Sequence, residues 1–442
     1  MPVHTSPGGR RTSRARRLTA AAAGASVALT LAACGNGGGS SATPNLTWYI
    51  NPDNGGQQTI ANNCTKAANG AYKISIATLP TDATSQREQL VRRLAANDSS
   101  IDLMSLDPVF VPEFASAGFL RPFTDAEAKP LTEGVLKSSV TTSMWKGKLV
   151  AAPFWANTQL LWFRKSVAQK AGLDMAKPVT WDQIIDAAKK THTTVQVTGA
   201  LYEGYMVLIN SLVASAGGSV LKDPEAGRDA TPTLNTEAGK QAAEVIRRLT
   251  HSGVADPQIS TATEETARTG FQAANGGFMV NWPYVYGAAL AAVKDGSLKQ
   301  SVVNDIGWAR VPQVDAGRPS APAFGGINLG VGNFTKHPTQ AAKAAECITS
   351  TQNQTAYMLS EGNPAARAAV FDNPEVIKKF PMAALIRDSI NESTPRPQSS
   401  YYPDVSAATV REFHPPSSVN PDHTPKNADN LIVNVLQGKQ LL

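Results

Sequence analysis

Asn281-Trp282-Pro283-Tyr284 gathers an amide, an indole and a phenol within four residues. That set suits holding a ligand by stacking and hydrogen bonding better than breaking its bonds. The preceding Phe278, Met279 and Val280 read as a short buried strand. Proline cannot donate to a sheet ladder but fits the first turn of a helix, so the strand must stop at Pro283 and a helix can begin there. Open α/β sheets bind ligands outside the carboxyl ends of their strands, which makes this junction a candidate site. Plain core packing is the competing account of Trp282, because most tryptophans are largely buried.

Other residues point the same way. Asp107-Pro108 ends a buried-strand pattern, Ile101 to Leu106, so Asp107 stands just past a carboxyl end. Gly325-Gly326 sits in an alternating run, Phe324 to Val331, where backbone can approach a ligand closely. Arg396 lies between Pro395 and Pro397, a stiffened place for a guanidinium; a polar exposed loop is the alternative. Glu264 opens a helical pattern in which Arg268 is spaced to pair with it across one turn. Catalytic signatures are missing. The chain has no G-x-S-x-G elbow, Walker loop or H-E-x-x-H, and its six histidines are scattered without metal partners. Carboxylates are numerous, but nothing nominates a glycosidase pair. The expectation is a binding protein with no cofactor and no metal.

The elements that must carry these residues alternate. Strand patterns at Leu46 to Ile50, Tyr72 to Thr78 and Ile101 to Leu106 are separated by helical patterns at Gln57 to Ala68 and Gln86 to Asn97. This order predicts a largely parallel sheet with crossover helices. Lys148 to Pro153 and Gln159 to Arg164 read as strands around Phe154-Trp155-Ala156-Asn157-Thr158, an extended crossing able to carry the chain between two lobes. Helical patterns follow at Trp181 to His192, Gly204 to Ala216, Glu237 to His251 and Glu264 to Ala274. After the extended runs Ile306 to Pro312 and Phe324 to Val331, they resume at Gln340 to Ser350 and Thr355 to Glu361.

The whole chain, 442 residues with a formal charge of +6, exceeds what one core usually serves. Its basic balance is local. Arg10, Arg11, Arg14, Arg16 and Arg17 precede the apolar run Leu18 to Ala33, and removing those five leaves 6 − 5 = +1 for the rest. No clustered basic stripe remains to contact nucleic acid. The Arg-rich start and apolar run form an export signal. Leu31-Ala32-Ala33-Cys34-Gly35 has the pattern of a lipobox, which predicts lipidation of Cys34; an ordinary signal with a chance cysteine is the alternative. The Gly/Ser-rich stretch after it is a flexible tether. Cys64 and Cys347 remain, and in an oxidising compartment a disulfide between them is expected, two buried free thiols being the other possibility.

The lipobox, the Asp107-Pro108 strand end, the Asn157 to Arg164 crossing, the Glu264-Glu265-Thr266-Ala267-Arg268 helix start and Asn281-Trp282-Pro283 together resemble the family 1 extracellular solute-binding proteins. These are the carbohydrate receptors of ABC importers. Within the family the chain is similar to the trehalose-binding lipoproteins, through Gln89 to Leu94, Ser215 to Leu221, Gly325 to Leu329 and Arg396-Pro397. The resemblance spans roughly residue 45 to the C-terminus. It implies a two-lobe periplasmic-binding-protein fold of type II, cluster D-like, each lobe a mostly parallel sheet flanked by helices. The lobes are expected at 45–154 with about 300–365, and 155–299 with about 366–442, after a signal peptide at 1–33 and a tether at 34–44. Carried over position by position, the family's sugar contacts fall on Asp107, Asn157, Glu264, Trp282 and Arg396, with Gly325 and Gly326 lining the cleft through backbone and Tyr284 flanking it. Glu265 is the alternative to Glu264. The implied function is capture of trehalose or a related α-linked disaccharide by a monomer held at the outer face of the membrane through Cys34, for delivery to an ABC permease. Receptors for another oligosaccharide or a glycerophosphodiester, or a secreted carbohydrate-active enzyme, are the alternatives.

Overall fold

β1 (Asn45–Ile50), β2 (Lys73–Thr78) and β3 (Leu103–Leu106) make the parallel block expected from the strand-helix-strand order, with α1 (Gly56–Ala67) and α2 (Ala83–Ala95) as crossovers. The computed structural model describes residues 42–442. The export signal, Cys34 and most of the tether lie outside the described residues.

The first sheet is completed from far along the chain. Its order is β2-β1-β3-β9-β4, with β4 spanning Ala151–Thr158 and β9 spanning Phe324–Val331. β9 runs antiparallel to both β3 and β4, so the sheet is mixed beyond its parallel block. Trp48 of β1 is fully buried and meets Phe154 of β4 edge to face at 5.7 Å, which fixes the packing between these strands.

The second sheet has the order β8-β5-β7-β6, from β5 (Leu160–Arg164), β6 (Thr194–Gln196), β7 (Gly276–Asn281) and β8 (Ile306–Ala309). β5 is antiparallel to both β7 and β8, and only β6 and β7 pair in parallel. The chain therefore passes from one sheet to the other at Gln159, between β4 and β5, a few residues beyond the expected boundary at 154. It returns between 310 and 323, later than the expected 300, because β8 still pairs with β5.

The helices that position cleft residues are α3 (Glu203–Ser215), α4 (Glu264–Gln272) and α5 (Tyr284–Lys294). α4 starts at a capping box in which Thr263 and Thr266 satisfy each other's backbone N–H groups. α6 (Pro338–Ile348) packs on the first sheet, whereas α7 (Tyr402–Phe413) packs with α8 (Thr424–Leu436) and α3 on the second lobe. Helix Ala383–Asn391, expected with the second lobe, instead lies against β4 of the first sheet. A third crossing, 392–401, leads from that helix to α7. It runs beside the second crossing, where Thr394 donates to the carbonyl of Pro322 and accepts from the backbone of Phe324. The expected disulfide is present: Cys64 of α1 is bonded to Cys347 of α6, with 5.8 Å between Cα atoms. No helix among the described residues is long and apolar enough to cross a membrane.

Candidate functional site

A cleft of about 380 Å³ opens between the two sheets, and all eight residues singled out from sequence line it: Asp107, Asn157, Glu264, Trp282, Tyr284, Gly325, Gly326 and Arg396. Asn51, Asp107 and Trp282 sit just past the carboxyl ends of β1, β3 and β7, where the sheets leave backbone and side chains free to face a ligand. The first lobe supplies Asp107, Asn157 and the two glycines; the second supplies Glu264, Trp282 and Tyr284. Arg396 comes from the third crossing.

Trp282 reaches across the cleft. A Cβ built on Gly325 would lie 2.9 Å from Cη2 of the indole, so only glycine allows the ring to approach the β9 backbone this closely. Gly326 has φ 123, a conformation that side chains rarely adopt, and a Cβ there would fall 2.2 Å from the carbonyl oxygen of Trp155. The glycine pair thus forms a flat stretch of backbone opposite Trp282. Asn281 is fully buried and holds that wall in place. Its Nδ2 donates to the Glu264 carbonyl at 2.9 Å, and its Oδ1 accepts from the Trp282 N–H at 2.8 Å.

Glu264 faces the cleft and accepts a short hydrogen bond from the Tyr202 hydroxyl. Glu265, the alternative, turns outward and pairs with Arg268 at 2.8 Å. The pairing expected between Glu264 and Arg268 is therefore made by Glu265 instead, at i,i+3, because Glu264 is taken by Tyr202. Burial and then the Glu264 carboxylate push the Tyr202 phenol far above its ordinary range, so it stays a donor. Asn157 accepts the Thr158 N–H through Oδ1 at 3.0 Å, which leaves its Nδ2 directed to other partners.

Arg396 differs from the expectation of a guanidinium offered freely to ligand. Only 2% of its side chain is exposed, one terminal nitrogen donates to Glu203, and the other donates to Asp107 Oδ1 at 2.8 Å and Oδ2 at 3.2 Å. Asp107 also accepts from the Val109 N–H at 3.2 Å, capping the short turn that follows β3. Glu203 receives two further donors, the hydroxyls of Tyr402 and Ser406. Burial pushes the Glu203 carboxyl up, and Arg396 pulls it back. Burial also acts against the charged form of Arg396, but Asp107 heads the groups that outweigh it and hold the guanidinium charged.

Glu203, Tyr202 and Trp155 were not found by reading the sequence. A glutamate in the first turn of a helix reads as a complement to the helix dipole, and only the tertiary fold shows it buried against Arg396. Trp155 sits inside the β4 run and reads as core.

Three buried polar atoms of cleft residues have no hydrogen-bond partner among the described residues: Asn51 Oδ1, Trp155 Nε1 and Arg396 Nε. Buried polar groups are paired as a rule, so unpartnered atoms on residues that line a cleft suit a polar ligand. The cleft can donate, accept and stack. Among the described residues no group of three His, Cys, Asp or Glu side chains is placed to hold a metal.

The fold is that of maltose-binding proteins. A maltose-bound protein of T. maritima, MalE3, superposes with a TM-score of 0.75 at 23% identity, covering 90% of this chain and 100% of that one. A cyclic α-maltosyl-1,6-maltose binding protein of Arthrobacter globiformis gives 0.71 at 20% identity, over 90% of this chain and 100% of its own. A probable ABC transporter-binding protein of Deinococcus radiodurans is 26% identical over 367 residues, 78% of this chain and 83% of its relative. Residues 53–355 match the model of the bacterial extracellular solute-binding proteins, and the chain belongs to that family.

Proposed function

We propose that this protein is the substrate-binding subunit of an ABC sugar importer and that its ligand is trehalose or a closely related α-linked disaccharide. The convergence of the eight residues on one cleft carries this reading: acceptors from Asp107 and Glu264, a donor from Asn157, and the indole of Trp282 set against bare β9 backbone. Sugars present many hydroxyls, and each one buried unmatched would cost about 1–3 kcal/mol. The unpartnered Nε1 of Trp155 and Nε of Arg396 add donors, and Asn51 Oδ1 adds an acceptor. Among the ligands named for structural neighbours, maltose and cyclic α-maltosyl-1,6-maltose are α-linked glucans, while tagatose, mannitol and ribitol are monosaccharides or alditols. The cleft draws its residues from both lobes, so ligand binding favours closure about the three crossings, and the closed form is what the permease engages. The protein binds rather than converts its ligand.

Calorimetry with trehalose, maltose, sucrose and glucose tests the reading. The expected outcome is tightest binding to trehalose, with stabilisation of about 2.7 kcal/mol when the sugar is present at about 100 times its dissociation constant. Absence of any response to an α-linked disaccharide would overturn it. Anchoring through Cys34 is a separate expectation: the full chain expressed in a bacterium should partition into detergent, and a C34S variant should not.

A further inference from the structure

Among the described residues, those lining the cleft include a single cation and four carboxylates. Arg396 is the one basic residue lining it, against Asp82, Asp107, Glu203 and Glu264. The formal sum is 1 − 4 = −3. Arg396 does not offer its charge to a ligand, because Glu203 occupies one terminal nitrogen and Asp107 the other. Tyr402 and Ser406 lock Glu203 from behind, so the guanidinium plane is fixed with its two terminal nitrogens engaged. What remains is Nε, a buried donor without a partner among the described residues, and the second N–H of the nitrogen bonded to Glu203. A phosphate or carboxylate is recognised by a fork of two parallel N–H groups or by an uncommitted positive charge. A hydroxyl needs only one donor. Half-enclosed between two lobes, the surplus negative charge is also poorly screened.

We infer that the cleft discriminates by charge, admitting neutral glycans and those bearing an ammonium group while rejecting sugar phosphates, uronates and glycerol phosphates, and that Glu203 sets this discrimination by pairing with Arg396. The inference rests on the sugar-binding reading of the same cleft and narrows its ligand class. Glu203 acts here through Arg396 and is a positioning residue.

The test is calorimetry on the wild-type protein with trehalose, its 2-amino analogue trehalosamine, trehalose 6-phosphate, glucuronic acid and glycerol 3-phosphate. Trehalosamine should bind at least as tightly as trehalose. Trehalose 6-phosphate should bind on the order of 100-fold more weakly, as like charges brought together in an interface cost several kcal/mol. Added salt should narrow the gap between trehalose and its phosphate by screening the repulsion. A phosphate that binds within about threefold of trehalose, or a gap insensitive to salt, overturns the inference. In the E203Q variant the trehalose to trehalose 6-phosphate ratio should fall by about tenfold, the effect of removing one nearby negative charge at an effective dielectric near 20. A Glu203 with a purely structural role would weaken both ligands equally and leave the ratio unchanged, which would remove it from the proposal. E203D, which keeps the charge, should retain wild-type discrimination, and its failure to do so counts the same way. Should no neutral sugar bind wild-type protein, the sugar reading falls and takes the charge inference with it, whereas trehalose binding together with tight binding of an anion overturns the charge inference alone.

Discussion

Asn281 shows how much one buried side chain can decide. Its amide ties the carbonyl of Glu264 to the N–H of Trp282, so a carboxylate and an aromatic face keep a fixed spacing although they lie on different elements. Replacing Trp282 by Ala removes the stacking face without touching that tie. Binding of the cognate sugar should weaken by about 2 kcal/mol, roughly 30-fold, while circular dichroism and thermal melting of the unliganded protein stay close to wild type. Unchanged affinity in calorimetry would place the sugar elsewhere. At this scale the sequence was readable where residue type and local punctuation coincide. Trp282 precedes a proline at a strand end, Gly325 and Gly326 are paired, and Arg396 is bracketed by prolines. It was not readable where the partner is remote. Glu203 lies 193 positions from Arg396, and nothing in its neighbourhood distinguishes it from a surface glutamate at a helix start.

At the scale of elements, strands and crossover helices followed from apolar periodicity, and two helices near the C-terminus gave no such signal for a common reason. α7 and α8 each carry a proline in their first turn, Pro403 and Pro425, within stretches rich in Pro and Ser. α7 also buries Ser406 and Thr409 among its apolar residues, which blurs the helical period. The direction of β5 and β9 could not be read either, because antiparallel pairing there depends on how the chain re-enters each sheet. The link between α1 and α6 was legible from the cysteine count and the expected compartment. It joins residues 283 apart. Replacing Cys64 and Cys347 together by Ala should lower stability by about 2–4 kcal/mol in denaturant titration under oxidising conditions, with sugar affinity retained because the bond lies outside the cleft. A double variant as stable as wild type would show that the two helices are held by packing alone.

At the scale of the molecule, the two lobes are joined by three passages of chain, and Arg396 stands on the third, gripped by Asp107 from one lobe and Glu203 from the other. The same guanidinium therefore belongs to a passage between the lobes and to the cleft wall, so the proposed charge selection would act where the proposed closure turns. The order of the first sheet has a consequence for biosynthesis. β9 lies inside it, between β3 and β4, yet it is made only after every strand of the second sheet. Until Phe324 and its successors emerge, β3 and β4 each present an open edge, the kind of surface on which unfinished chains pair with one another. A shortened chain ending before β9 would lack the strand that joins β3 to β4, and it should aggregate more readily than the full chain.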